Sequence, residues 1–246
     1  MLLATITACL ALTTVSAKKV VADSWSETLV IGHRGAASVK PENTLPAFEE
    51  AIASGAAATE CDIRRSRDGE MMVIHDATLD RTTKIKGAVN ETAAQAMREA
   101  GVPDLGQLMS LTSKRIVLVI EIKDGDGIER RMVDLIRARK MEDQVIIFSF
   151  HAERMAEVER LNPKLITVLL HGGKIKPEEL ANLKTDGIGV HFSNCDEPLA
   201  RAARERKLPL FVWTVPPGPE VDRLRQLGVN FIITDHPREV RAQLGR

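Results

Sequence analysis

Tyrosine is absent from this sequence, and two tryptophans and six phenylalanines bring the aromatic share to only 3%. A surface that docks on lipid draws on such rings, so their scarcity counts against one. An excess of either charge is also missing. The 34 basic residues balance 34 acidic ones to a formal net charge of zero, with no block of like charge. A nucleic-acid partner or a membrane-surface role leaves an electrostatic imprint, so neither is expected. The three cysteines are Cys9, Cys61 and Cys195. Cys61 falls in the middle of an expected strand, far in sequence from Cys195. Two free, buried thiols are therefore predicted rather than a disulfide, and a domain of this size folds without a staple. No low-complexity linker or sequence repeat breaks residues 27–246.

Long apolar runs are missing too, except at the start. MLLATITACLALTTVSA has the length of a signal-peptide apolar region plus cleavage site, and is too short for a secure membrane span. Val15 and Ala17 fit positions −3 and −1 of a cut before Lys18, although the usual basic segment ahead of the apolar run is lacking. Residues 1–17 are thus expected to be a signal peptide. The protein would be secreted or periplasmic, with no stable membrane association after cleavage. The alternative is a buried helix of the domain.

What is present is a recurrence: a short β-branched run, a polar loop, then a helix-like segment. The runs are Thr28–Ile31, Thr59–Ile63, Ile116–Ile122, Val145–Phe148, Leu165–Leu170, Gly187–Phe192, Leu210–Val215 and Phe231–Thr234. Amphipathic stretches such as Leu45–Ala53, Gly127–Arg139, Ala152–Leu161, Pro177–Leu183, Pro198–Lys207 and Pro219–Leu227 lie between them. Strands alternating with helices imply parallel pairing. Eight such units point to a single-domain α/β fold, the closed (β/α)8 TIM barrel, over residues 27–246. An open doubly wound sheet is the alternative. Residues 87–101 read as one short polar helix.

A barrel places chemistry where its strands end, and polar residues gather there. His33-Arg34-Gly35 follow the first run, Glu60 and Asp62 lie in the second, and Glu121 and Lys123 close the third. His151, His171, His191, Trp213 and Asp235 occupy the later ends. Residues two apart on a strand share a face, so Glu60 and Asp62 sit side by side, about 7 Å apart at Cα. Two like charges pointing into a barrel repel one another and lose hydration unless a cation sits between them. With Glu121 on the next strand, three carboxylates describe a site for one hard divalent cation, Ca2+ or Mg2+. The competing reading is a structural ion network with Arg34, Arg64 or Lys123. His75 ends an extra strand that reads as a hairpin extension of the second run. His33 and His75 then flank the carboxylates as a general base and a general acid, with Arg34 and Lys123 as oxyanion partners. These groups together suit phosphoryl transfer.

Longer motifs support this reading. GHRG at 32–35, PENT at 41–44, ECDIRRSRDG at 60–69, HDATLDRTT at 75–83, EIK at 121–123, WTV at 213–215 and IITDHP at 232–237 resemble the glycerophosphodiester phosphodiesterases, in family order. The resemblance covers almost all of residues 29–240. It implies a TIM barrel that binds one divalent cation and hydrolyses small glycerophosphodiesters to glycerol phosphate and an alcohol. By resemblance, Glu60, Asp62 and Glu121 would be metal ligands and His33 and His75 the acid–base pair. Arg34 and Lys123 would hold phosphate oxygens, Trp213 would touch substrate and Glu42 would support the pocket, reaching back to His33 or the cation. Asn43 or Thr44 is expected to cap the following helix, and Asp76 to orient neighbouring backbone. His33 is expected to act first as base and His75 first as acid.

Two departures bear on substrate choice. The segment Ala77–Arg115 is shorter than the family's usual insertion, and Pro216-Pro217-Gly218-Pro219 stands where asparagine often follows the tryptophan. His171 and His191 are candidates for the pocket wall. Rival functions are a lysophospholipase D-type activity, which calls for an apolar rim, and a catalytically silent phosphodiester-binding barrel, which has no need of five intact acid and histidine positions.

Overall fold

A computed structural model describes residues 15–245. In chain order, helix α1 (Ala17–Asp23) precedes strand β1 (Leu29–Gly32), α2 (Leu45–Ala53), β2 (Ala58–Arg65) and β3 (Met71–Val73). Helices α3 (Ala94–Glu99) and α4 (Leu105–Thr112) lead to β4 (Val117–Ile122), α5 (Ile128–Ala138), β5 (Val145–Ser149), α6 (Ala152–Leu161) and β6 (Ile166–His171). A 3-10 turn at Pro177–Asn182 stands in for a helix before β7 (Gly187–His191). The remaining elements are α7 (Glu197–Glu205), β8 (Leu210–Trp213), α8 (Pro219–Leu227), β9 (Phe231–Thr234) and α9 (Pro237–Gln243).

Strand β1 pairs in parallel with both β2 and β9, and the parallel ladder runs on through β4, β5, β6, β7 and β8. This closes an eight-stranded parallel barrel with helices outside, as the alternating pattern predicts. The doubly wound alternative, an open sheet, is excluded by the β1–β2 and β1–β9 pairings. Strand β3 lies outside the ring, antiparallel to Ile63–Arg65 at the end of β2. That is the expected hairpin extension, and it delivers His75 back to the barrel mouth.

Side-chain alternation divides the core. Ala58, Val117, Val119, Ile146, Phe148, Val168, Phe211 and Phe231 fill the barrel, while Cys61, Ile63, Leu118, Ile120, Ile122 and Ile147 pack outward against Leu105, Met109, Met132 and Ile136. The interior is apolar, with aromatic rings at its centre. Phe211 stacks on Phe231 at 4.3 Å between centroids and meets Phe148 edge-on at 5.1 Å. Room for these rings comes from β7, where a Cβ on Gly187 would lie 3.0 Å from the Phe211 ring and one on Gly189 2.4 Å from Leu170.

The opposite end of the barrel is closed by α1. Ala17 is buried with the interior cluster, Val20 and Val21 pack against it, and Ser16 caps the helix by accepting from the Lys19 amide. Asn230 ties this end together. Its side chain donates to the Ser24 carbonyl and hydroxyl and accepts from the Leu210 amide. The expected leader, residues 1–17, lies outside the described residues except for its last three. The expected cut before Lys18 falls within the first turn of α1. Among the described residues, no helix is long and apolar enough to cross a membrane.

Local structure differs from the sequence expectation in two places. Residues 87–101 form a 3-10 turn at Val89–Glu91 and then α3, rather than one helix. Helix α4 was not anticipated, although Leu105, Leu108, Met109 and Thr112 have helical spacing and are all buried. Asp104 and Gln107 complete a capping box at its start, with each side chain paired to the other's amide at 2.8 and 3.0 Å. Cys61 and Cys195 are free and buried, as predicted. Cys9 lies outside the described residues.

Candidate active site

The carboxylates of Glu60, Asp62 and Glu121 converge at the carboxyl end of the barrel, each buried and each offering an oxygen within 4.8 Å of the others. Strand register produces this. Asp62 sits directly opposite Glu121 across the β2–β4 ladder, and Glu60 is two residues back on the same inward face. Burial and the neighbouring Asp62 push Glu60 up to about 8, and the same two causes raise Glu121. Glu60 and Glu121, buried this close to a third carboxylate, resist ionisation unless a positive charge arrives.

Part of that charge is supplied by the protein. Lys123 Nζ is 2.8 Å from Glu121 and 3.6 Å from Asp62, and Arg34 Nε is 3.3 Å from Asp62. Arg64 turns away, donating to the His75 carbonyl and pairing with Asp124. The ion network expected as an alternative therefore exists in part, but it leaves acceptors over. Glu60 Oε1 is buried with no hydrogen-bond partner, and Glu121 Oε1 faces the Lys123 ammonium without hydrogen-bond geometry. Two donors are stranded in the same way: Arg34 Nε and Trp213 Nε1 are buried without a hydrogen bond. Acceptors left without a hydrogen bond on two of three converging carboxylates suit a hard cation, and donors left over beside them suit an oxyanion.

These groups line one cavity of about 200 Å³, bounded by His33, Arg34, Glu60, His75, Glu121, Lys123, Phe148, Phe150, Leu170, Trp213, Thr214 and Ile233. A larger cavity, about 440 Å³, lies at the other end of the barrel beside Trp25 and Asn230 and holds none of the site residues. Of the residues assigned to catalysis, metal and substrate, His33, Arg34, Glu60, His75, Glu121, Lys123 and Trp213 line the smaller cavity and Asp62 belongs to the acid cluster, whereas Glu42 reaches neither. Glu42 lies behind Arg34 and accepts from its Nη1 at 2.8 Å, so it supports the pocket through Arg34 rather than through His33 or the acid cluster. Phe150 and Trp213 meet edge-on at 5.6 Å and form an apolar wall facing the charges. His171 and His191 do not line the cavity. His171 is paired with the Gly173 carbonyl and His191 with Ser193.

The loop after β1 is shaped to hold Arg34. Gly35 adopts φ +90°, where a Cβ would strike the Ala47 backbone at 2.6 Å, and Arg34 itself takes φ +49°. Such a conformation costs a non-glycine residue energy and is retained where the surroundings enforce it. Here the Arg34 amide donates to Glu60 at 2.9 Å.

Each imidazole has a carboxylate on Nδ1. His33 pairs with Asp235 at 2.7 Å, and His75 with Asp76 at 2.8 Å. Burial works against charge on His33, but the Asp235 hydrogen bond and nearby Glu60 outweigh it, and its pKa is raised. Burial dominates at His75, with Lys123 and Arg34 adding to it, and its pKa is lowered. Asp76 thus holds a side chain rather than the backbone expected of it. Thr44 caps α2, accepting from the Ala47 amide. Asn43 instead braces Asp62, donating to it at 2.8 Å and accepting from its amide at 3.4 Å. Asp235 and Asn43 are the site residues whose roles sequence reasoning missed. Their presence in the ITDHP and PENT runs was the available signal.

The sequence model of the glycerophosphoryl diester phosphodiesterase family matches residues 33–117 and 103–239. A glycerophosphodiester phosphodiesterase of Caldanaerobacter subterraneus is 34% identical over 232 residues, covering 86% of this chain and 95% of that protein. One from Bacillus subtilis is 29% identical, covering 85% and 84%. Among solved structures, a glycerophosphodiester phosphodiesterase from Agrobacterium tumefaciens superposes with a TM-score of 0.77 at 27% identity, over 87% of this chain and 99% of that one. A phosphodiesterase from Oleispira antarctica, solved with the product sn-glycerol-3-phosphate, superposes with a TM-score of 0.80 at 21% identity, over 91% and 99%. Matched over most of its length by the family's sequence model and by these relatives, this chain belongs to the glycerophosphoryl diester phosphodiesterase family.

Proposed function

We propose that the protein hydrolyses small glycerophosphodiesters to glycerol phosphate and an alcohol, using one divalent cation, Ca2+ or Mg2+, held by Glu60, Asp62 and Glu121. The observation that carries this is the convergence of Glu60, Asp62 and Glu121 oxygens within 4.8 Å of one another, beside a cavity where Glu60 Oε1 and Trp213 Nε1 are buried without a hydrogen-bond partner. A bound cation would supply Lewis-acid polarisation of a phosphoryl oxygen and charge neutralisation. Arg34 and Lys123 would bind the remaining phosphate oxygens, and Trp213 Nε1 would donate to an oxygen of the substrate.

The two histidines divide the proton work. The glycerol 2-hydroxyl oxygen forms a bond to phosphorus as the bond to the departing alcohol breaks. One imidazole takes the hydroxyl proton and the other gives a proton to the alcohol; water then opens the cyclic phosphate with the roles reversed. Asp76 and Asp235 occupy both Nδ1 atoms, so Nε2 is the working nitrogen on each ring. The surroundings favour His75 as first base and His33 as first acid, the reverse of the expectation from sequence. Among the described residues Asp235 pairs with His33 and forms no arginine salt bridge, so its charge supports a protonated His33, whereas Asp76 shares its charge with Arg81.

The test is to incubate the protein with a panel of glycerophosphodiesters and lysophospholipids, with and without chelator, and measure released alcohol. Hydrolysis of the small diesters that stops with chelator supports the reading. Hydrolysis unaffected by verified metal removal overturns the cation, and release from lysophospholipids alone would move the substrate to the lipid class. Among the described residues, Phe150 alone of the exposed large hydrophobic side chains lines the cavity, which favours the small diesters. A p-nitrophenyl leaving group needs no acid, so it should rescue His33→Ala and not His75→Ala; the opposite pattern restores the first assignment.

Export remains a proposal that rests on the apolar start of the chain. N-terminal sequencing of protein recovered outside the cytoplasm would test it. Because Ser16 caps α1 and Ala17 is buried beneath the barrel, a chain starting at Lys18 should melt below one starting at Val15. Equal melting temperatures would show that the plug tolerates the cut.

A further inference from the structure

Arg81 is absent from the lining of the catalytic cavity, and its side chain is 49% exposed. An isolated ion pair at that exposure contributes little to stability. Its geometry is nevertheless more demanding than that of an ordinary surface arginine. Nη1 and Nη2 donate to both oxygens of Glu42 at 2.6 and 2.7 Å. Nε and Nη2 donate to both oxygens of Asp76 at 2.6 and 3.1 Å. One planar guanidinium therefore forks onto two carboxylates at once, which fixes the plane of each.

Both carboxylates have a second partner inside the active site. Glu42 Oε1 accepts from Arg34 Nη1, and Asp76 Oδ1 holds Nδ1 of His75. The outcome is an unbroken chain from Asp62 through Arg34, Glu42, Arg81 and Asp76 to His75. No other hydrogen-bonded path among the described residues joins the side chains of Arg34 and His75 outside the cavity. The arm that carries Arg81 is itself anchored. Leu79 is fully buried, its amide donates to the Gly87 carbonyl, and Thr83 folds back onto the Leu79 carbonyl at 2.8 Å.

The two proton-transfer groups are held differently. Asp235 follows β9 directly and its backbone carbonyl is bound by Ser38, so His33 is positioned from the barrel. His75 stands on the appended hairpin, outside the ring of strands, and needs another tie to keep register with the phosphate group.

We propose that Arg81 is a positioning residue for the reaction, clamping Asp76 and Glu42 together so that Nε2 of His75 and the guanidinium of Arg34 are held in one frame. This rests on the reading of His75 and Arg34 given above. Loss of the clamp leaves both groups present but free to move, and misplacement by about 1 Å can cost about 100-fold in rate. Partners behind directly acting groups are worth roughly 10- to 100-fold.

Arg81→Met keeps the aliphatic stem and removes both forks. It should lower kcat about 10- to 100-fold and raise KM several-fold, with cation affinity by titration calorimetry unchanged. In the Asp76→Ala/Glu42→Ala background the same substitution should cause no further loss, because neither position then offers the guanidinium an acceptor. A readout independent of turnover is the nitrogen-15 spectrum of the His75 ring, which reports its tautomer. The Nδ1–H form should dominate in the wild type and lose that dominance in Arg81→Met. Kinetic constants within twofold of wild type, additive losses in the double background, or an unchanged His75 tautomer would each overturn the proposal. If Arg81→Met fails to fold, Arg81→Lys, whose ammonium cannot fork onto both carboxylates, should show the same changes at smaller size; wild-type kinetics in that variant would be equally damaging. A wild-type protein inactive on every diester would overturn the proposed function instead, and the ring spectra would still decide whether Arg81 positions His75.

Discussion

The two sides of the barrel mouth are built from different chemistry. The side formed by β1, β2 and β4 carries nearly every charge: His33, Arg34, Glu60, Asp62, Glu121 and Lys123, with His75 added by the hairpin. The side formed by β5, β6 and β8 offers Phe148, Phe150, Leu170 and Trp213, whose one polar atom is the stranded indole nitrogen. On the charged side each residue is held by another, as Asn43 holds Asp62 and Asp235 holds His33. On the apolar side the holding is by shape, with Gly189 making room for Leu170. The contrast separates bond breaking from substrate choice. Changes on the first side should strike turnover, and changes on the second should strike affinity and preference.

The sharpest break of that contrast is removal of the cation. Chelation should abolish hydrolysis, Ca2+ or Mg2+ should restore it, and the melting temperature should fall because three buried carboxylates are left to repel one another. Undiminished turnover with no metal detected by elemental analysis would refute the assignment. Next in size, His33→Ala and His75→Ala should each lower kcat by roughly 10²–10⁴ with little change in KM. Steady-state kinetics on a substrate with a poor leaving group decides this. A variant that keeps wild-type kcat there is no acid–base catalyst.

Smaller effects test the apolar side. Trp213→Phe keeps the ring and removes the indole donor, so KM should rise about 5- to 10-fold, the worth of one hydrogen bond of roughly 1–1.5 kcal/mol, while kcat changes little. A fall confined to kcat would place Trp213 with the charged side. His171→Ala should leave both constants within twofold, since that ring is paired with the Gly173 carbonyl away from the cavity.

The last prediction concerns acid. The Arg81 hydrogen bonds, with help from Arg34, hold Glu42 down at about 2. A carboxylate held below its usual value of 4.5 stabilises the fold above that value, and the contribution is lost as pH falls towards 2. Glu42→Gln should therefore flatten part of the stability loss between those pH values, as measured by denaturant midpoints. An unchanged slope would mean that the pair is too well solvated to matter.

Much of this architecture was legible in the residues. The alternation of β-branched runs with amphipathic stretches specifies the ring of strands, and the two-residue spacing of Glu60 and Asp62 places both on its inner face. The pairing partners were not legible, because they are tertiary. Asp235 is 202 residues from His33, and only closure of β9 onto β1 brings them together. Asn43 looked like a helix cap because its neighbour Thr44 is one, and its φ of +56°, which aims it at Asp62, has no signature in composition. Helix α4 was within reach, since its buried spacing and capping box are local. The end of α1 nearest the leader was masked by the same apolar run that suggested export.

The aromatic filling beneath the site has a consequence for traffic. Phe148, Phe211 and Phe231 occupy the middle of the barrel, and α1 covers its far end. The catalytic chamber is therefore a cul-de-sac. On the proposed function, a diester would enter and both fragments would leave through the mouth of the barrel. In the two-step route proposed above, water would come in by that same mouth, so the alcohol would have to leave before the cyclic phosphate is opened. Such a chamber releases its products in order. Product-inhibition patterns would reveal that order, with the last fragment to leave competing directly with substrate, and random release would mean that a second exit opens during turnover.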